Sequence, residues 1–471
     1  MTVANGSGAG SWWRLLTVLS VGVVIWASPA PAALDPRAWH LFAIFLATIV
    51  AVLIDAMPIL AAAVLAVAIA VLSGTLAPAQ AYSGFSQSFL LLLLVAFLVA
   101  RAVVNSGLGQ RIAYLIIMRL GRSTLGLAYS LIITDFFIAP AFPSNTARSG
   151  VLYPIHYALA RQSGSRPHDG TQARMGSFLM MAGMTGLTIS STMWMTAMAA
   201  NPAGAAIATQ YGIPVSFGSW ALAASLPSLA ALLIVPYLLY RIFPPEVKRT
   251  PEAPAAAAEA LRAMGPLSRQ EWITAVTFGG MITGWALSTS LDINTAAIAF
   301  LGLGVLMLAR VFTLEDLKGR GDALGIYLWF AILYTLSTQL NELGFMSFAA
   351  GGMASRLEGL PWPLVYVALI VIYVLIHYLF VSQTAHMLAL YGVFLHVGLQ
   401  AGVPGPLLAY MLLFATNFFA AITPQGSSAN AIFLSSGYIE PRQVYRYGGL
   451  VTLFNLIVYL VVGTPWILLI T

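Results

Sequence analysis

The sequence predicts an all-α polytopic membrane protein, with about eleven spanning helices and two hairpins that enter the membrane and return. Three observations predict it. The 471 residues are 60% hydrophobic and only 8% charged, whereas a soluble domain carries roughly 25% charged residues. Apolar runs recur along the whole chain, as in Leu90–Ala100, Ala221–Tyr240, Pro363–Phe380 and Leu450–Ile470, and a spanning helix needs about 20 mostly apolar residues. Finally, Lys and Arg gather on one side of the membrane once those runs are threaded through it.

Taken in order, the spans lie near 12–28, 36–54, 57–73, 86–106, 175–210, 218–243, 271–289, 293–310, 323–343, 406–437 and 447–470, with hairpins over 124–160 and 361–397. Trp12–Ser28 runs into Pro29–Pro31 without a cleavage pattern, so it is read as a first span and not as a signal peptide. Residues 244–270 are polar and rich in Ala, Pro and Glu. They read as a cytoplasmic linker with a short helix around Ala255–Met264.

Charge placement tests the threading. With the N-terminus in the cytoplasm, 18 of the 21 basic residues fall inside. Arg37 and Arg356 fall outside, and Arg148 is left in the membrane. Reading either hairpin as a single span would invert everything after it. The C-terminus is then periplasmic, in a bacterial inner membrane. The net charge of +6 follows this topology and is not a nucleic-acid signal. Cysteine is absent, which excludes disulfides, thiolate metal sites and a Cys nucleophile. The chain has no P-loop and no His-Glu-x-x-His or Gly-x-Ser-x-Gly motif, so no ATPase or hydrolase signature competes.

The two halves resemble each other. Phe142-Pro-Ser-Asn-Thr-Ala-Arg148 parallels Phe380-Val-Ser-Gln-Thr-Ala-His386, and Leu152-Tyr153 and Leu390-Tyr391 follow at matching offsets. Gly107 lies 37 residues before Ser144, and Gly344 lies 38 before Ser382. After each hairpin a span is interrupted by polar residues and proline, in Thr188–Pro202 and in Thr423–Asn430. The threading places one hairpin on each side of the membrane. Inverted repeats with broken helices are the architecture of secondary transporters, with the site at the repeat interface.

Ser144-Asn145-Thr146 and Ser382-Gln383-Thr384 therefore stand as candidate ligand-binding tips. Polar groups deep in a membrane must be satisfied, and the alternative is that these hydroxyls only bond back to their own helix. Arg148 and His386 follow the tips at equivalent positions. A guanidinium fork suits a carboxylate, and two cationic positions across a pseudo-two-fold would suit a substrate with two or more carboxylates. Against this, Arg148 has a candidate ion-pair partner in Asp135, and His386 can be a hydrogen-bonded core residue. His377 and His156 are read as packing residues. In the broken spans, Thr188, Ser190, Ser191, Thr192 and Asn201 are set against Thr423, Gln425, Ser427, Ser428 and Asn430. Pro202 and Pro424 unwind the helices, so that half-helix N-termini face an anion and freed carbonyls can hold Na⁺.

At these residues the chain resembles the divalent anion/sodium symporter family of carboxylate transporters, over nearly its whole length. The resemblance carries Ser144, Asn145, Thr146, Ser382 and Thr384 over directly as substrate ligands, and with the reading of the residues above the candidate ligands are these five together with Arg148, Gln383, His386, Thr192, Asn201, Thr423, Ser427 and Asn430. It implies a candidate Na⁺ site at Ser144, Asn145 and Thr188, and otherwise no cofactor. Gln383 departs from the Asn of sodium-coupled members, and Thr423-Pro-Gln-Gly-Ser-Ser428 replaces their Thr-Pro-Pro-Asn. With Arg148 and His386, these departures look like the family's exchanger branch. The resemblance also implies a scaffold over 1–123 and 271–360, and a transport domain over 124–243 and 361–471, moving as an elevator in a homodimer. The expected partners are small di- or tricarboxylate anions and membrane lipid, with no nucleic acid. The expected function is secondary transport of the succinate, malate, oxoglutarate and citrate class by exchange. Sodium-coupled symport stands as the alternative. An anion channel or a membrane enzyme remains from other classes.

Overall fold

The computed structural model describes residues 12–318, 321–354, 357 and 359–471, so Arg320 and Arg356 of the charge pattern lie outside the described residues. In chain order the helices are α1 (Trp12–Ala27), α2 (Pro36–Leu53), α3 (Ile59–Leu72), α4 (Ser88–Ser106), α5 (Leu108–Leu120), α6 (Thr124–Ile138), α7 (Asn145–Gln162), α8 (Gly176–Met193), α9 (Ala200–Gln210) and α10 (Phe217–Ile242). They continue with α11 (Ala253–Ala263), α12 (Arg269–Leu287), α13 (Thr295–Leu308), α14 (Gly321–Glu342), α15 (Phe345–Ala354), α16 (Trp362–Ile376), α17 (Gln383–Gln400), α18 (Gly405–Phe418) and α19 (Ser428–Leu434). The last is α20 (Pro441–Ile470), which contains two short π-helical stretches.

Among the described residues, eight helices are long and apolar enough to cross a membrane, and two of these, Thr124–Ala141 and Trp362–Leu379, are the first arms of the hairpins. The helices α1, α3 and α13 are shorter but equally apolar. Their outward faces carry residues such as Leu72 and Leu308, which are 87% and 89% exposed. They belong to a large set of exposed apolar side chains, and an apolar surface of that extent suits lipid.

The two repeats agree element by element. Each opens with a long helix, α4 or α14, and turns at a left-handed glycine, Gly107 at φ 77° or Gly344 at φ 84°. A side chain would be strained at either position. A helix, α5 or α15, follows each turn, where the sequence suggested only a connection. It is α5 that carries Arg111, whose guanidinium is buried against Glu271 at the start of α12. The hairpin arm then ends in a short 3₁₀ turn, Ala139–Ala141 or His377–Leu379. The return arm starts at a serine cap. Ser144 at φ −151°, ψ 122° accepts from the Ala147 amide, and Ser382 at φ −145°, ψ 123° accepts from the Ala385 amide. Each cap satisfies one of the amides left over at a helix start.

The broken spans form the interior. Every residue of α8 is buried, as are all of α18 from Leu407 onward. Close packing there requires glycine. A methyl group on Gly183 would lie 2.5 Å from the His156 ring and 2.7 Å from Phe433. The linker helix α11 packs on α5. Beside it the chain runs against the start of α6, where the Thr124 amide donates to Lys248 O at 3.2 Å and the Thr250 amide to Arg122 O at 3.0 Å.

Candidate functional site

Two hairpins that enter from opposite ends need not meet, but these do. Asn145 Nδ2 donates to Gln383 Oε1 at 3.1 Å, and Thr146 Oγ1 lies 2.7 Å from Ser428 Oγ at the start of α19. The N-termini of α7 and α17 are thereby brought together. They share a cavity of about 890 Å³ lined by Ser144, Asn145, Thr146, Ser382, Gln383, Thr384, Ser427 and Ser428. Each helix start carries unpaired amides and about half a positive charge. The arrangement is a polar, electropositive seat for an anion.

Behind the first tip lies an ion-pair network. Arg148 is fully buried and donates through Nη1 to Asp135 Oδ2 at 3.0 Å and to Ser190 Oγ at 2.9 Å. Its Nη2 donates to Asn145 Oδ1 and to Ser191 Oγ, each at 2.6 Å. Ser190 in turn donates to Asp135. One guanidinium therefore ties both arms of the hairpin to the end of α8 and fixes Asn145 by its oxygen, leaving the amide nitrogen to reach Gln383. Arg148 does not line the cavity.

The second half solves the same problem with aromatic rings. His386 is fully buried, and its Nδ1 lies 3.2 Å from His377 Nδ1. The other nitrogen of His377 is 2.9 Å from Gly426 O, in the break of the second broken span. A carbonyl only accepts, so His377 Nε2 carries a hydrogen, its Nδ1 is the acceptor and His386 Nδ1 is the donor. Both rings stack on Phe419, with centroids 3.8 Å and 4.7 Å away. His386 too stands behind the tip and off the cavity wall. The expected pair of cations facing a ligand across the pseudo-two-fold is thus replaced by two anchors, each joining a tip to the neighbouring break.

The breaks themselves are stapled by asparagines. Asn201 Nδ2 donates to Ser191 O at 3.0 Å and Trp194 O at 3.3 Å. Asn430 Nδ2 donates to Ala420 O at 2.8 Å and Thr423 O at 2.9 Å. This equivalence corrects the pairing read from the sequence. Asn201 does match Asn430, but Thr423 matches Trp194, because the polar run of the first half precedes its break while that of the second half lies within it. Thr188 and Thr192 bond to carbonyls of their own helix, at Thr185 and Thr188, each at 2.7 Å, and Gln425 reaches Tyr445 at 3.3 Å. Asn417, which the sequence reading passed over, joins the halves. Its Nδ2 donates to Asn201 Oδ1 at 2.8 Å, and Gln383 donates to the neighbouring Thr416 O at 2.8 Å.

Two of the three residues expected to hold Na⁺ at the first tip have their side-chain oxygens engaged. Asn145 Oδ1 already accepts from a guanidinium and from Ser191 at 2.7 Å, and the Thr188 hydroxyl is turned to its own helix. A cation there would sit against Arg148. Two carbonyls at each break accept from Asn201 or Asn430, and each has a second lone pair.

Comparison with known proteins gives the same architecture a wider setting. A family model described as the sodium:sulfate symporter transmembrane region matches residues 9–471. The chain is 38% identical over 458 residues to a chloroplastic dicarboxylate transporter 2 of Spinacia oleracea, covering 96% of this chain and 81% of that one. It is 31% identical over 482 residues to an L-tartrate/succinate antiporter of Shigella sonnei, covering 97% and 98%. Among solved structures, the YdaH transporter of Alcanivorax borkumensis superimposes with a TM-score of 0.58 at 15% identity, over 97% of each chain, a likeness of fold alone.

Proposed function

We propose that this chain, which belongs to the sodium:sulfate symporter transmembrane-region family, is a secondary transporter that exchanges small dicarboxylates across a bacterial inner membrane. The observation that carries this reading is the meeting of two helix N-termini at polar tips in one cavity, held by the Asn145–Gln383 hydrogen bond of 3.1 Å. One carboxylate of a C4 or C5 dianion is held at each tip, by the amides of α7 and α17 and by Ser144, Thr146, Ser382 and Thr384. Arg148 and His386 act through Asn145 and the second break, and so position the ligand groups without touching them. Asn201 and Asn430 fix the breaks through carbonyls, that of Thr423 among them.

Exchange follows from the state of the tips. Without an anion the unpaired amides of both tips would have to cross a medium that offers no partners. With a dicarboxylate bound they are satisfied, so the loaded form crosses more readily than the empty one. The antiporter among the relatives and the poor fit of Na⁺ at Asn145 support the same reading. The family's sodium symporters favour the second reading, in which Na⁺ binds with the substrate.

Under the charge pattern above, the N-terminus and the linker 244–270 are cytoplasmic. The cavity is lined by the ends of α2 and α4 and by Asp316, so it faces the cytoplasm. We assign 1–123 and 271–360 to a fixed scaffold within a homodimer. Residues 124–243 and 361–471 form the part that moves across the membrane as an elevator.

The test is uptake of labelled succinate, malate, oxoglutarate and citrate into proteoliposomes, with and without internal dicarboxylate and with Na⁺ or choline outside. Internal dicarboxylate should accelerate uptake strongly, and choline should change little. Saturable Na⁺ dependence in vesicles without internal substrate would favour the symporter. Unsaturable flux without counterflow would favour a channel.

A further inference from the structure

The cavity has a second wall that the tips do not explain. On α4, Phe97, Arg101 and Val104 fall on one face and line it, as their spacing of four and three residues requires. Among the described residues Arg101 is the one basic side chain on the wall and Asp316 the one acidic side chain. The Arg101 side chain is 37% exposed, and its Nε is nevertheless buried without a hydrogen-bond partner among the described residues. Among the described residues its one counter-charge within 4 Å is Asp316 Oδ1 at 3.9 Å, beyond hydrogen-bond reach.

Asp316 is already occupied. Its Oδ1 accepts from Asn105 Nδ2 at 2.8 Å, and its Oδ2 from the Thr313 amide at 2.8 Å and the Thr313 hydroxyl at 2.9 Å. Burial pushes the Asp316 carboxyl up, but the Thr313 amide, the Asn105 and Thr313 side chains and the nearby Arg101 together hold it below the usual carboxylate range. The aspartate is thus ionised and spent on its own loop. The guanidinium beside it belongs to a side chain that lines the cavity and makes no hydrogen bond to a described residue.

We propose that Arg101 is a carboxylate-binding subsite on the α4 wall, which takes one carboxylate of the dianion as it passes between the solvent and the tips. The proposal rests on the dicarboxylate function above. A planar five-donor fork is suited to that ligand, and Asp316 tempers its grip by repelling the same anion, so that the substrate is guided and released.

The test varies internal succinate in membrane vesicles of known orientation and measures exchange by wild type, Arg101→Gln, Asp316→Asn and the double variant. Charge-assisted hydrogen bonds of this kind set the scale at about tenfold. Arg101→Gln should raise the internal half-saturating concentration by about that factor, with little change in maximal rate. Asp316→Asn should lower it by roughly twofold, the scale of a part-exposed charge pair. The opposite signs are the signature of the subsite. If both substitutions raise half-saturation alike and the double variant adds nothing, the two residues are only a structural pair and the proposal is overturned. An unchanged half-saturation in Arg101→Gln overturns it equally. Should Arg101→Gln fail to reach the membrane, Arg101→Lys carries the test. It keeps the charge and loses the fork, so it should raise half-saturation, and no change overturns the proposal. Failure of the transport function itself would show in the wild type, which would then exchange no dicarboxylate. Failure of the subsite shows only in the variants against an active wild type.

Discussion

Replacing Arg148 separates an anchor from a ligand. In Arg148→Gln the Asp135 carboxylate, only 2% exposed, loses its counter-charge, and Asn145, Ser190 and Ser191 lose a shared donor. Removing one partner of a buried pair typically costs about 3–5 kcal/mol, because the other charge stays buried. Asp135→Asn alone strands the guanidinium in the same way. The double variant Arg148→Gln/Asp135→Asn leaves no charge and keeps amide donors near Ser190 and Ser191, so the two losses should cancel by about 2–3 kcal/mol of coupling. The assay is thermal unfolding in detergent beside succinate exchange in proteoliposomes. Both singles should melt early and exchange poorly, and the double should recover much of both properties. A double variant as stable as wild type that exchanges nothing would refute the anchoring role and put Arg148 on the substrate.

The remaining expectations are briefer. Asn201→Ala and Asn430→Ala each take a side-chain donor from two buried carbonyls, of which Trp194 O and Thr423 O keep the Ala197 and Gly426 amides, so each should lower stability by about 1–3 kcal/mol, read as earlier thermal unfolding; unchanged melting would show that the staples are dispensable. Ser144→Ala removes the cap and a cavity-lining hydroxyl while Ser382 keeps the second tip intact. Its half-saturating succinate should rise roughly tenfold in a protein that still reaches the membrane, and normal kinetics would remove Ser144 from the site. A cysteine placed at Ala256 in this cysteine-free chain should resist impermeant thiol reagents in intact cells, whereas ready labelling would reject a cytoplasmic linker.

Much of this architecture was legible because it is written twice. The two serine caps fold with φ angles 6° apart, and both left-handed glycines sit at the turn that opens each repeat. The linker helix runs from Ala253 to Ala263, close to the expected 255–264. What the sequence left open was partner choice. Arg148 reads alike whether it grips a ligand or Asp135, because a buried guanidinium needs acceptors in either case. The sign available was Asp135 on the preceding arm, a carboxylate with no equivalent at Tyr373 in the second half. Arg101 was counted as one more cytoplasmic charge, since periodicity alone does not show that a face of α4 borders a cavity. Asn417 sits inside an apolar run, followed directly by Phe418-Phe-Ala-Ala-Ile422, and carried no signal of its own. Its role exists only because the two broken spans cross next to each other, where it reaches Asn201.

The most direct test of the central claim, that both tips build one anion site, is substrate protection of a single cysteine at each tip. Thr146→Cys and Thr384→Cys each place a thiol on the cavity wall in a chain that has no other. Their modification by a small thiol reagent is timed in membranes as succinate is raised. The account predicts that both thiols are shielded, with the same half-protecting concentration and with no need for Na⁺. Protection of one tip alone, or of neither while the wild type still exchanges succinate, would contradict it.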